Sequence, residues 1–163
     1  MQHNLLIVPF EPWHLTVLDI RDEQKKLVNW FSDQYGSIQK YGSAYLNASA
    51  SHEEAPCAWS VMLKGKPILC GGIYALTPYM GEAWTIVSND FTKADLCVKM
   101  DTVREIKDII KKVDLQRIQA NTEVTFKDAQ RFLKMLGFVE EGVAKAYTPF
   151  KEDSVMYGLV REV

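Results

Sequence analysis

The tightest constraint on the fold is the stretch from Thr125 to Tyr147, TFKDAQRFLKMLGFVEEGVAKAY. Phe126, Ala129, Phe132, Leu133 and Leu136 recur at three- and four-residue intervals, which puts them on one face of a helix. Lys127, Asp128, Gln130, Arg131 and Lys134 fill the other face. Thr125 and Asp128 have the spacing of a capping box, in which hydroxyl and carboxylate satisfy orphan N–H groups of the first turn. Gly137 falls where the helix must stop, because a left-handed residue costs glycine little. Phe138 and Val139 then enter a strand with no linker.

The rest of the chain supplies a larger frame for this unit. Leu5–Phe10 is an apolar run closed by prolines and reads as an edge or first strand. Trp13–Ile20 predicts a helical turn or two, Asp22–Gln34 a helix ended by Gly36, and Ser37–Ala50 a further helix weakened by Gly42. Asn47–Pro56 is small and polar and reads as a loop. From Ala58 the period changes to two. Ala58–Leu63, Ile68–Leu76 and Glu82–Ser88 predict a three-stranded antiparallel meander, with a hairpin turn at Gly65 and a bulge or a close approach at Gly71 and Gly72. Leu96, Met100, Val103, Ile106, Ile110 and Val113 share one face of a long helix, opened by a second capping-box spacing at Thr92 and Asp95. Arg117–Asn121 and Ser154–Arg161 read as strands. A meander followed by a βαβ crossover implies a mixed sheet with helices on both faces.

With 163 residues and 47% apolar content, the whole span 1–163 is expected to form one domain around a sizeable core. A formal charge of -2 gives no general attraction to nucleic acid or to an anionic membrane, so neither is expected as a partner. Cys57, Cys70 and Cys97 form no CxxC pair, and Cys70 inside an apolar strand reads as a buried, inert thiol in a reducing compartment. The N-terminal MQHNLLIVPFEP has no basic segment and too short an apolar run for a signal or a span, so a cytoplasmic location is expected. His3, His14 and His52 are scattered without ligand spacing, so no metal is expected. No Gly-x-Ser-x-Gly, Walker loop or Cys–His signature supports hydrolysis.

This order of elements, with LKMLGFVEEG after the second major helix, resembles the GNAT superfamily of acetyl-coenzyme A-dependent N-acyltransferases over nearly the whole chain. IVPFEPWHL, GEAWTIVSN and AQRFLKMLGFVEEG fall where that family's elements fall. The subgroup it is most similar to is the GNAT-like proteins of tailed phages, of the internal virion protein A type. They share a tryptophan in the fourth strand, here Trp84, the helix end seen here from Phe132 to Phe138, and a degenerate coenzyme loop. The resemblance implies an α+β fold with a central mixed sheet of about seven strands and helices on both faces. It also implies transfer of an acetyl group from acetyl-coenzyme A to a small-molecule or protein amine.

In that family the coenzyme pyrophosphate is held by backbone N–H groups at the start of the helix after the fourth strand. The family signature there is Gln/Arg-x-x-Gly-x-Gly/Ala. The same place here reads SNDFTKADLC, with no glycine and with Asp90 and Asp95 opposing an anion. Two readings stand: Thr92, Lys93 and Ala94 still present N–H groups to a phosphate, or the segment is a capped structural helix. The thioester carbonyl would meet N–H groups at Ile86, Val87 and Ser88. The family often places an asparagine three residues before the helix alanine and a general-acid tyrosine four after it. With Ala129 as that alanine, those positions hold Phe126 and Leu133, and neither donates a proton.

By the same resemblance Glu82, at the start of the fourth strand, is the candidate general base, against a plain strand-end glutamate. Tyr147 is expected to end the sixth strand as an acid or substrate contact, against a core tyrosine with its hydroxyl at the rim. His14 lies near where acceptor pockets open, against a solvated or capping role. Trp13, Trp30, Tyr35, Tyr41 and Tyr45 give the N-terminal helices much aromatic surface, of which an exposed subset would make a binding face. Two functions follow: an acyltransferase, or a GNAT fold serving as a virion-associated or host-interaction protein in a host cytoplasm or virion. They part on whether the fourth and fifth strands splay, and on whether Phe91 or Phe126 fills the groove.

Overall fold

The computed structural model describes residues 4–49 and 57–162. Among these residues seven strands form one sheet: β1 (Leu5–Pro9), β2 (Ala58–Leu63), β3 (Lys66–Thr77), β4 (Met80–Val87), β5 (Arg117–Glu123), β6 (Val139–Ala144) and β7 (Ser154–Val160). Their spatial order is β1-β2-β3-β4-β5-β7-β6. Every neighbouring pair is antiparallel except β4 and β5, which are parallel. The expected mixed sheet is therefore present, and β1 is an edge strand.

Among the described residues six helices connect them: α1 (His14–Val17), α2 (Asp22–Tyr35), α3 (Ile38–Ser49), α4 (Asn89–Lys93), α5 (Leu96–Lys112) and α6 (Lys127–Met135). Alternate residues of β2, β3 and β4 serve the two faces. Val61, Leu69 and Ile73 pack with Val103, Ile106 and Ile110 of α5 on one side. Cys70, Trp84 and Ile86 pack with Leu15, Val28 and Tyr41 on the other. Each fully buried aliphatic side chain contributes roughly 1.5–3 kcal/mol. Cys70 is sequestered, and burial pushes its thiol up to about 11. Among the described residues, no helix is long and apolar enough to cross a membrane.

Several local expectations need correction. Neither capping box forms. The residue before α6 is Phe126, and no side chain caps that helix. Asp95 precedes α5 without a side-chain cap, while the separate short helix α4 is capped by Ser88, whose Oγ accepts the Phe91 N–H at 3.0 Å. The buried face of α5 runs through Val98, Thr102, Val103, Ile106 and Ile110, and Leu96 and Met100 are exposed. α3 runs on through Asn47 to Ser49, and the remainder of the expected loop lies outside the described residues. Of the two readings at Gly71 and Gly72, the bulge is absent, since the register shifts elsewhere, and the close approach is present, with the Trp84 indole lying against Gly72.

The stop after α6 is as expected. Gly137 has φ +100°, its N–H bonds the Lys134 carbonyl, and the Phe138 N–H reaches back to the Leu133 carbonyl, each at 3.0 Å. These two bonds are the Schellman pair, and they turn the chain into β6 within two residues.

Candidate active site

Parallel pairing of β4 with β5 covers only Met80–Glu82 against Arg117–Gln119. Beyond Glu82 the strands part, and a cleft of about 560 Å³ runs through the gap. α6 borders it with Phe126, Ala129, Phe132 and Leu133. This explains why the most amphipathic stretch of the sequence buries no helical residue fully: its apolar face looks into the cleft.

Glu82 is the third residue of β4, at the point where the ladder ends. Tyr74, its register partner on β3, donates its hydroxyl to Glu82 Oε2 at 2.9 Å. Asn121 of β5 reaches across the opening to Oε1 at 3.0 Å. Both carboxylate oxygens are thus oriented by neutral donors. Trp84, two residues on and on the same face, forms the wall, with Tyr45 stacked on it at 4.2 Å between ring centroids. Gly72 lies opposite Trp84, and a Cβ there would stand 2.5 Å from the Cys57 carbonyl oxygen and 2.7 Å from the indole nitrogen. Glycine is what lets the indole lie across β3.

Tyr147 also lines the cleft, but not as the end of a strand. β6 ends at Ala144, and Tyr147 sits in the following turn, half-exposed at the mouth, with its N–H bonded to the Glu152 carbonyl at 2.8 Å. Partial burial, and then the Glu82 charge, raise its phenol above the ordinary value. Burial and Glu82 raise Tyr74 likewise. Both hydroxyls keep their protons at neutral pH.

At the other end, residues 85 and 87 of β4 turn their backbone groups toward the gap. Gln24 of α2 fills both. Its Nε2 donates to the Thr85 carbonyl at 3.0 Å, and its Oε1 accepts the Val87 N–H at 2.8 Å. The Arg21 N–H takes the Val87 carbonyl at 2.9 Å. Ile86 lies one residue out of phase, toward β3, and the Ser88 N–H bonds Ile68. The Thr92 and Ala94 N–H groups are used by the Ser88 and Phe91 carbonyls. Thr92 borders the cleft, whereas Lys93 and Ala94 edge a separate hollow with Leu63 and Lys64. The structure therefore brings Glu82, Tyr147, Ile86, Val87 and Thr92 together and sets Ser88, Lys93 and Ala94 outside the cleft lining.

Positive charge at this end comes from side chains. Arg21 is buried, its guanidinium 4.1 Å over the Phe126 ring and its Nη2 3.5 Å from Asp128. Arg131 pairs with the other oxygen of Asp128, and Lys99 donates to the Thr92 carbonyl. Phe91 packs edge-on to Phe132 beneath the groove, and Phe126 lies under Arg21; the cleft stays open past both.

An edge that satisfies the carboxamide of Gln24 offers the same donor and acceptor to an amide of an extended arm, with no change in the number of hydrogen bonds. Arg21, Lys99 and Arg131 line this part of the cleft.

His14 is neither solvated nor in the cleft. It is buried, accepts the Glu11 N–H at Nδ1 and lies 2.8 Å from Ser60 Oγ, so its role is to cap the turn before α1. Burial lowers its pKa. Sequence reasoning missed Tyr74, Asn121, Gln24 and Arg21. Tyr74 faces Glu82 only because the register shifts between Ala75 and Thr77, and Asn121, Gln24 and Arg21 carry no local signal.

No protein-family model matches the chain, and no curated protein matches it. Solved structures do. Ard1 from Thermoplasma volcanium is similar at a TM-score of 0.74 and 12% identity, over 98% of this chain and 99% of that one. A GNAT-family acetyltransferase from Bacillus anthracis is similar at 0.67 and 15%, over 98% and 97%. Mycobacterium smegmatis RimJ, solved in complex with CoA-disulfide, is similar at 0.66 and 16%, over 96% and 81%. The sheet order, the β4–β5 opening and this likeness agree: the chain has the fold of the GNAT acetyltransferases.

Proposed function

We propose that the protein is an N-acyltransferase that transfers an acetyl group from acetyl-coenzyme A to an amine. The observation that carries this reading is the Glu82 carboxylate, held by Tyr74 and Asn121 where the parted β4 and β5 open a cleft. The bound thioester supplies an acyl group for attack by an amine nitrogen, with a thiolate as leaving group. Glu82 takes the proton that the amine nitrogen loses, directly or through one water. Tyr147 holds its phenolic proton at neutral pH and is the donor for the leaving sulfur. The Val87 N–H and the Thr85 carbonyl, released by Gln24, pair with an amide of the carrier arm, and Arg21, Lys99 and Arg131 offset phosphate charge.

The test is calorimetry with acetyl-coenzyme A, followed by thiol release in the presence of amines. Saturable binding and amine-dependent release are expected. No heat at millimolar ligand would sink the reading for this donor.

A second reading is favoured by one observation: the chain's own Gln24 and Arg21 occupy the outer edge of β4. On that reading the fold is kept as an interaction protein, associated with a virion or a host protein, and the plugged edge is permanent. A structure with acetyl-coenzyme A soaked in, still showing both Gln24 bonds, supports it; displacement of Gln24 ends it.

A further inference from the structure

We infer that the acceptor end of the cleft selects an organic cation, an arylalkylamine with no carboxylate beside its nitrogen. The inference rests on the acyltransferase reading for the role of this end. It goes beyond that reading in naming the class of amine.

Among the described residues, Glu82 has no cationic side chain within ion-pair distance. Tyr74 and Asn121 satisfy its lone pairs without neutralising it. The walls around it are aromatic: Tyr41, Tyr45, Trp84 and Tyr147 join Tyr74 along the cleft. Ring faces carry negative quadrupole, so they add to the attraction of a carboxylate for a cation and give an aromatic body surface to stack on. Glu123 places a second carboxylate on the cleft, beside Glu152 and opposed by Lys26.

The cations of the cleft are elsewhere. Arg21 sits by the backbone at Val87, five residues from Glu82 and so about 16 Å along the strand. Arg21 and Arg131 share Asp128, and Lys99 is tied to Thr92. A substrate carboxylate beside the reacting nitrogen would meet Glu82 with nothing to pair it. A monocation meets a carboxylate already oriented and already short of a counter-charge.

The test uses the full chain and three probes of one shape: phenethylamine, phenylalanine and 2-phenylethanol. Binding is measured by calorimetry, alone and with saturating desulfo-coenzyme A. Phenethylamine is expected to bind at least roughly tenfold more tightly than either other probe, the weight of one added or opposed unit charge in a half-dry site. Glu82→Gln is expected to erase that preference. Tyr147→Leu, at a half-exposed position that spares the fold, is expected to weaken phenethylamine and leave the order of the probes unchanged. Phenylalanine binding as tightly as phenethylamine overturns the inference, and so does the absence of phenethylamine binding under both conditions. Binding without thiol release leaves this inference standing and removes the acyltransferase reading. Release that favours phenylalanine does the reverse.

Discussion

Where β4 leaves its ladder with β5, Glu82 is held by two neutral donors among tyrosine rings; three and five residues further along the same strand, Thr85 and Val87 are bonded to a glutamine from α2. The first end has its polar groups set and its charge unmet. The second has its polar groups met by the chain itself. An opened sheet must satisfy every backbone group that pairing would have used, and the two ends meet that demand differently. One uses ladder pairing up to its last residue, and the other a side chain that a ligand amide can replace.

The largest expected effect that separates the ends is chemical. Glu82→Gln keeps the shape and both neighbours but loses the base, and turnover is expected to fall by about 10²–10⁴-fold with little change in melting temperature. A variant that turns over at the wild-type rate removes Glu82 from the chemistry and leaves the first end merely structural.

Gly72→Ala tests whether the aromatic wall is rigid. The new Cβ would press on the Cys57 carbonyl and on the Trp84 indole, and overpacking of this kind costs about 1–3 kcal/mol, read as a lower urea midpoint. An unchanged midpoint would mean that the indole moves freely, against a preformed pocket.

Gln24→Leu separates the ends by sign. It strands the Val87 N–H and the Thr85 carbonyl, which is expected to cost about 1–3 kcal/mol in the free protein. The same change vacates the edge, so acetyl-coenzyme A is expected to raise the melting temperature of Gln24→Leu more than that of the wild type. Equal shifts would mean that Gln24 does not stand in the carrier's place.

The smallest effect lies outside the cleft and serves as its control. His14 is buried and its folded pKa is lowered from 6.5, chiefly by desolvation and against the pull of Glu11. As pH falls below the ordinary imidazole value the unfolded chain binds a proton that the folded chain refuses, so stability falls there and is unaffected above it. A urea midpoint followed from pH 7.5 to 5 checks this, and His14→Asn is expected to flatten the slope without altering amine binding.

Much of the fold was legible because short-range rules dictate it. The alternation in Ala58–Leu63, the α5 periodicity through Val103, Ile106 and Ile110, and Gly137 after α6 each follow from backbone geometry and burial within a few residues. The capping boxes failed for a reason that is not local. A Thr or Asp at the right spacing competes with tertiary docking of the preceding turn, and at α6 it was Phe126, pinned under Arg21, that set the entry.

Local pattern sets the order of elements and the mixed sheet, because periodicity and turn chemistry act within a few residues, whereas Glu82 and Tyr147 enter as candidates only through the resemblance to the GNAT superfamily. Tertiary structure alone decided that Asn121, thirty-nine residues on, would orient Glu82, and that Gln24, more than sixty residues before Thr85 and Val87, would close the far edge of β4. It also set the apolar face of the Thr125–Tyr147 unit at the border of a cleft while Phe132, Leu133, Leu136 and Phe138 still pack with the core. The physical reason is that amphipathicity fixes which side of a helix avoids water, whereas the parting of β4 from β5 decides what that side meets.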